Sequence, residues 1–445
     1  MSSSTATVNS AAKGQESPSS LDGAPDAKLE QLPPPAAPVH TFPDGGGEAW
    51  LTVLGAFFAL TASFGMLSSF GVFQTYYVFY FNKTPSEVSW IGSLQFFVFF
   101  IVGPLVGRVF DAYGPLRLMA GGTLTLTFAM MMTSLCTEYW QAILAQGILV
   151  GLGSAMLFFP SLSSIASHFL KRRGLASGLG VTGSSVGGVI FPIALQRLIG
   201  EIGFGMSVRV SGFICLALGI AATACVRSRL PRRRPGKWLD VSAFKEPKYA
   251  ILTIGATIMS FGLFVPYYYI EPFALSQGVS PDLAFYSVAV MNAGSFFGRL
   301  LAAPLMDAVG KYNVLIPATG LAGVLCLALW LPTTVATAPH AVLALVMVFA
   351  AAFGCLNGAF MACMAPSIAA ISPITSIGVR IGMLYAILAF PMLVCNPIAG
   401  AFLSDGGSPA TYRHLIIWSG VTQIVGAFIV VGTRVLINPK AAAKV

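Results

Sequence analysis

GPLVGRVFDAYGPLRL, from Gly103 to Leu118, is a short charged stretch between two long apolar runs. Within it, Pro104-Leu105 precedes Asp111-Ala-Tyr-Gly114, and in the second half of the chain Pro304-Leu305 precedes Asp307-Ala-Val-Gly310. A repeat of this kind indicates a duplicated unit. We therefore expect a chain of two similar halves.

The apolar runs on both sides of these stretches are long enough to cross a bilayer. A helix needs about 20 apolar residues to do so, and strands of a membrane barrel would alternate apolar and polar residues, which these runs do not. The predicted spans lie near 49–79, 88–107, 116–136, 139–166, 174–198, 207–227, 249–272, 284–306, 313–332, 341–365, 376–402 and 412–436. The predicted fold is an all-α membrane protein with twelve transmembrane helices in two six-helix bundles.

The composition favours a bilayer over water as the solvent. The 445 residues are 56% hydrophobic and 9% charged, whereas soluble domains carry about 25% charged residues. The net charge of +9 comes from cations between the apolar runs, which is the pattern of cytosolic loops and not of a nucleic-acid-binding face. Lipid is therefore an expected partner, and nucleic acid is not.

The distribution of Lys and Arg predicts the orientation and the divisions of the chain. The predicted inner loops hold most of the cations, so both termini are expected in the cytosol. The divisions are a disordered cytosolic tail over 1–45, an N-terminal bundle over 46–228, a cytosolic central loop over 229–248, a C-terminal bundle over 249–437 and a short cytosolic tail over 438–445. The default location is the plasma membrane, and a monomer is expected.

The residues that usually carry enzyme chemistry are sparse. The 7 cysteines lie in apolar stretches without a CxxC pair, and the 4 histidines form no metal or catalytic motif. No GxxxxGK[ST] loop for ATP occurs either. We therefore predict no catalytic residue, no metal site and no cofactor, and we do not expect an enzyme.

HFLKRRGLASGLGVTGSSVGG, from His168 to Gly188, places three cations before a run of small residues. Ala176, Gly180, Ser184 and Gly188 recur every four residues, which predicts one small helix face. Such a face lets helix backbones approach closely in lipid. It suits a surface that can slide or rock and, equally well, static packing.

These stretches, together with PDGGGEAW from Pro43 to Trp50, resemble the monocarboxylate transporter family of the major facilitator superfamily, in its fungal branch. The resemblance covers residues 43 to 437. It implies a twelve-helix carrier that moves an organic anion or a related small metabolite by alternating access. Many members of that family couple this movement to a proton.

Arg299 is the main candidate for substrate binding. It precedes Asp307 by eight residues, which places it roughly 12 Å into the membrane. A charge at that depth needs water or a partner, and the guanidinium fork suits a carboxylate. The position matches the family's arginine of helix eight that contacts substrate carboxylate. The alternative is a structural arginine paired with helix-end carbonyls or with Asp307.

Two departures from the family pattern concern the substrate and the proton. Ser295 stands where lactate and pyruvate carriers have an aspartate, and Ser68 stands near the place of their lysine in helix one. Proton symport of the lactate type is therefore in doubt, and a larger or less acidic substrate is expected. Asn292 and Tyr268 complete the predicted substrate-binding set, whereas Glu271 is expected in a solvated outer position.

The resemblance also implies a cytosolic gate. Arg108, Asp111 and Arg117 would lock the N-terminal half on the cytosolic side, although a solvated loop is an alternative. Asp307 is the less complete copy, because Asn313 stands where the counterpart of Arg117 would fall. The leading hypothesis is a secondary active transporter of a small organic anion. The alternatives are an exporter of a secondary metabolite and a nutrient receptor without transport.

Overall fold

The computed structural model describes residues 44–169, 172–229, 240–336, 338–373, 376–403, 409–440 and 443. All of them belong to one compact unit, Phe42–Val445. Half of the predicted central loop over 229–248 and half of the tail over 438–445 lie outside the described residues, as do Lys171 and most of the predicted tail over 1–45.

The described chain is helical, without strands, as the continuously apolar runs predict. Its long helices are α1 Gly47–Tyr80, α2 Ser86–Tyr113, α3 Pro115–Thr133, α4 Tyr139–His168, α5 Arg173–Ile202, α6 Phe204–Cys225, α7 Pro247–Ser276, α8 Pro281–Val309, α9 Lys311–Val335, α10 Pro339–Ala370, α11 Ile377–Ala401 and α12 Pro409–Ile437. A short 3₁₀ helix, Val241–Lys245, precedes α7.

Within the described residues, 11 of these helices are long and apolar enough to cross a membrane. The exception is α3, the predicted third span, which has 19 residues. It carries Arg117 in its first turn, two glycines and four threonines, all of which lower its hydropathy. Twelve membrane crossings therefore stay a prediction.

Three of the helices are interrupted near the middle of the molecule. The breaks lie at Ser69 in α1, Val102 in α2 and Phe264 in α7. Prolines two residues after the breaks in α2 and α7 explain those two, because proline cannot continue the hydrogen-bond ladder. In α1 the Ser69 hydroxyl donates instead to the Gly65 carbonyl, 2.8 Å away, a bond that bends helices.

The small residues of α5 pack against more than one neighbour. Gly183 faces α1, since an added Cβ would lie 2.1 Å from the Phe57 carbonyl oxygen. Gly180 also meets α1 and α4, whereas Gly188 meets α8. The predicted single face is thus wrong, because a step of four residues exceeds one turn and rotates by about 40°. The row of small residues winds from α1 toward α8.

The two halves meet through two pairs of helices that the repeat relates, α5 with α8 and α2 with α11. In the second pair, Gly382 lies against the backbone of Pro104, where a Cβ added to the glycine would be 3.1 Å from the Pro104 Cα. The rings of Phe100 and Tyr385 stack nearby with centroids 5.5 Å apart. These contacts form the floor under the cavity described next.

Candidate functional site

A cavity of about 830 Å³ lies between the two halves. Its wall is mainly aromatic and aliphatic, and it reaches Thr84, Leu275 and Gly400, which lie at the predicted outer ends of their helices. Polar side chains are interspersed in this wall; those with an amide or a charge are Gln74, Glu271, Asn292, Arg299 and Asn357. An apolar chamber with a few placed polar groups is typical of small-molecule sites.

Arg299 joins this cavity to the contact between α5 and α8. The residue is 5% exposed. Its Nη1 donates to the Val181 carbonyl oxygen at 3.1 Å, to Ser185 Oγ at 2.6 Å and to Ser184 Oγ. These bonds go to α5 and not to Asp307, so the predicted alternative of a pair with Asp307 does not apply. Among the described residues, neither Nε nor Nη2 has a hydrogen-bond partner.

Four of the five predicted substrate-binding residues line the cavity: Ser68, Tyr268, Asn292 and Arg299. Ser295 is fully buried outside this lining, and its backbone lies against Gly358 of α10. Glu271 is not in a solvated outer position as expected, since it is half-buried in the cavity wall. The structure therefore brings one cation and one carboxylate into the same chamber.

Sequence reasoning missed the partners of Arg299. Ser184 and Ser185 belong to the small-residue run of α5, and nothing in their spacing distinguishes a hydrogen-bonding pair from packing residues. Tyr267 also lines the cavity. It lies one helical turn before Glu271 on α7.

On the inner side of Arg299, α5 and α8 close tightly against each other. Asp307 has its carboxylate beside Gly174, where a Cβ added to the glycine would lie 2.9 Å from both oxygens. One turn away on both helices, the methyl of Ala303 lies 2.6 Å from the corresponding position at Gly178. The carboxylate thus sits at the N-terminal end of α5, where free N–H groups favour negative charge. A gating role for Asp307 stays a prediction.

The other predicted gating residues lie where α2 turns into α3. Arg108 is half-buried, whereas Asp111 and Arg117 are exposed. The Arg117 guanidinium lies over the Tyr113 ring, 5.6 Å from its centroid. A lock formed by these three residues stays a prediction.

Asn313 has a partner that the motif comparison did not predict. Arg434 of α12 donates from Nε to Asn313 Oδ1 at 2.8 Å. The same guanidinium donates to the carbonyl oxygens of Asn438 at 2.5 Å and Lys440 at 2.8 Å. The position that lacks an arginine in the second motif copy is therefore bonded to an arginine from another helix.

A buried arginine fixes the end of the central loop to α11. Arg380 is 3% exposed and binds Glu246 through two bonds of 2.8 and 2.5 Å. Its Nε donates to Asp240 at 3.0 Å. Such a two-pronged bond is strong and directional. The hydrogen bonds from Arg380 hold the pKa of the Glu246 carboxyl below its usual value of 4.5.

We expect Glu246→Gln to lower the thermal midpoint at pH 7 by a small amount. Because the pKa of Glu246 is lowered in the folded state, its ion pair with Arg380 stabilises the fold at pH values above the ordinary carboxyl pKa. This stabilisation is lost as the pH falls through the folded-state pKa. The effect should not exceed about 1 kcal/mol, because solvent screens a half-exposed carboxylate. Melting curves of both proteins at several pH values check this, and a difference that persists in strong acid would contradict it.

Comparison with known proteins agrees with this architecture. Residues 53–363 match the sequence profile of the Major Facilitator Superfamily. The chain is 40% identical to the MFS transporter asaE of Aspergillus flavus over 417 residues, which cover 93% of this chain and 92% of that protein.

Two further relatives carry names that state a cargo. The chain is 37% identical over 443 residues to the fujikurins efflux protein of Gibberella fujikuroi, covering 97% of this chain and 92% of the relative. It is 36% identical over 409 residues to the aspyridones efflux protein apdF of Emericella nidulans, covering 91% and 81%. The expectation that the chain is not an enzyme is confirmed, and the chain belongs to the Major Facilitator Superfamily of transporters.

Proposed function

We propose that this chain exports a small organic metabolite that carries an acidic group, by alternating access of the cavity to the two sides of the membrane. One observation supports the acidic group. Arg299 lies in the cavity wall, and its Nε, which is buried, has no hydrogen-bond partner among the described residues. The edge of a guanidinium that carries Nε and Nη2 has two parallel N–H donors, which match the two oxygens of a carboxylate.

The size of the chamber supports a substrate larger than lactate. A volume of about 830 Å³ falls in the range of sites for drug-sized ligands. The rings of Phe64, Phe96 and Phe264 belong to its wall. An amphipathic molecule with an apolar body and one anionic group would fill such a space, whereas a three-carbon acid would not. The cargo would then resemble a monocarboxylate such as lactate only in its anionic group.

The relatives support export over uptake. Two of them are named as efflux proteins, for fujikurins and for aspyridones. Fujikurins and aspyridones are the cargoes named for those two relatives only. For this chain we propose efflux from the cytosol across the plasma membrane. The carrier would be a monomer with twelve spans in two bundles, and both termini would lie in the cytosol.

Counterflow in proteoliposomes tests transport against the receptor alternative. Vesicles loaded with an unlabelled aromatic carboxylate such as 2-naphthoate should take up the labelled compound transiently and in a saturable way. The amide of the same ring system should not compete. Saturable binding without flux would favour a receptor and would rule out the proposed carrier.

Weak proton coupling is a further part of the proposal. Two positions that are ionisable in lactate carriers are serines here, and Ser295 lies outside the cavity lining. We expect a protonophore at clamped membrane potential to reduce flux by less than about half, because a loss of coupling removes only the share of driving force that protons supply. Complete collapse in the wild type but not in Glu271→Gln would instead assign the proton to Glu271.

A further inference from the structure

We propose that Ser184 and Ser185 are positioning residues that compete with the cargo for Arg299 and so lower its affinity when the inner side is closed. The inference rests on the proposed anion site. It concerns the Nη1 side of the guanidinium, which the anion site does not use in this structure.

The bonding of Arg299 is divided between two partners. All of its hydrogen bonds to described residues leave from Nη1 and end on α5, at Val181, Ser184 and Ser185. Both serines are nearly fully buried. Arg299 itself belongs to α8, in the other half of the chain. The arginine therefore contributes one of its nitrogens to the contact between the halves, while the residue also belongs to the cavity wall.

Opening of the inner side must separate these partners. The contact of α5 with α8 continues inward through Gly178 and Ala303 to Gly174 and Asp307, with no space for a ligand between the helices. A carrier that opens inward has to part this row, and Nη1 then loses its three acceptors. A buried cation without acceptors is costly. An anion in the open chamber can supply the missing acceptors.

The cargo would consequently meet Arg299 in two different hydrogen-bonding states. With the inner side open, all donors of the guanidinium are available to an anionic group. With the inner side closed, α5 holds Nη1 and only the Nε and Nη2 edge is left. Because affinity follows the number of charge-assisted hydrogen bonds, binding is tighter from the cytosol than from outside. That difference suits loading inside and release outside.

The test compares purified wild-type protein with a Ser184→Ala/Ser185→Ala double variant, using labelled 2-naphthoate as the anionic probe and 2-naphthamide as its neutral counterpart. In the double variant Nη1 keeps only the Val181 carbonyl as an acceptor on α5, so one of its two N–H groups is released and we expect the affinity for 2-naphthoate to rise by about fivefold or more. Binding of 2-naphthamide should stay within about twofold, since it carries no charge to respond to the arginine. Ser211→Ala is the matched control, because the Ser211 hydroxyl is also buried but bonds the Ser207 carbonyl of its own helix at 3.0 Å.

The outcomes separate this inference from the proposed function. If the double variant binds the anion as the wild type does, while Arg299→Ala loses binding, the anion site stands and the competition is refuted. Weaker binding by the double variant also refutes it, because the serines would then contact the cargo themselves. If the wild type and Arg299→Ala bind the anion equally, or neither binds it, the anion site itself falls and the inference with it. A melting curve for each variant verifies that the fold is intact.

Discussion

Arg299→Ala abolishes transport while the protein still reaches the membrane in normal amounts; this is the largest functional effect that we expect. Arg299 belongs to the cavity wall, and its Nε has no hydrogen-bond partner among the described residues. Loss of two charge-assisted hydrogen bonds costs about 3 kcal/mol or more, which corresponds to roughly a hundredfold loss of flux at low substrate concentration. Folding should tolerate the change, because alanine removes a buried cation and leaves only neutral hydroxyls on α5.

Initial rates of counterflow, normalised to the amount of protein in the vesicles, measure this effect. Arg299→Lys should restore little, because an ammonium group cannot present the planar fork. Arg209→Ala is the matched control, since Arg209 lies on α6 outside the cavity lining and donates to Ser134 Oγ at 3.0 Å. Near-normal flux in Arg299→Ala would remove this residue from the transport site.

Gly298→Ala should give the largest loss of stability. An added Cβ would lie 1.8 Å from the carbonyl oxygen of Cys355 and 2.6 Å from its carbon. Both atoms are backbone, so α8 and α10 would have to move apart. Overpacking of this kind costs about 1–3 kcal/mol, and more where backbone is displaced. The same shift would move Arg299, the next residue, away from α5.

Size-exclusion chromatography after heating measures the surviving folded fraction. We expect the midpoint of Gly298→Ala to fall clearly below that of the wild type. Gly320→Ala is the control within another helix, because its nearest neighbour is the Ala427 Cβ at an ordinary 3.7 Å. That variant should be neutral or slightly stabilised, since alanine is the better helix former. Equal thermal midpoints for Gly298→Ala and Gly320→Ala would show that α8 and α10 can move apart without loss of stability, which would contradict the prediction.

Features that depend on local sequence were predictable. In lipid, the backbone N–H and C=O groups must form their hydrogen bonds within the chain, so long apolar runs form helices. The helix positions therefore follow from hydropathy. The position of Arg299 on the same helix as Asp307, eight residues before it, was likewise predictable. Ser68, Asn292 and Tyr268 line the cavity, as polar residues in such spans tend to face the interior, and their role in substrate binding stays a prediction.

Features that depend on partners from distant segments were not predictable. Ser295 is four residues before Arg299 and was expected beside it, but the close approach of α10 at Gly358 buries it. The serines that bind Arg299 lie in the other half of the chain. A single sequence contains no signal for such pairs, since any of several helices could supply the acceptor. Glu271 was misplaced because the cavity extends further toward the outer ends of the helices than its neighbouring proline suggests.

The bond between Arg434 and Asn313 bears on how duplicated proteins diverge. Residue-by-residue alignment of the two copies would score position 313 as the loss of an arginine. In space, however, a guanidinium from α12 lies against the side chain at that position. A difference at one aligned position of the two copies is thus accompanied by a charge that another helix supplies. Relatives that regain an arginine at the aligned position should correspondingly be free to lose the one on the last helix.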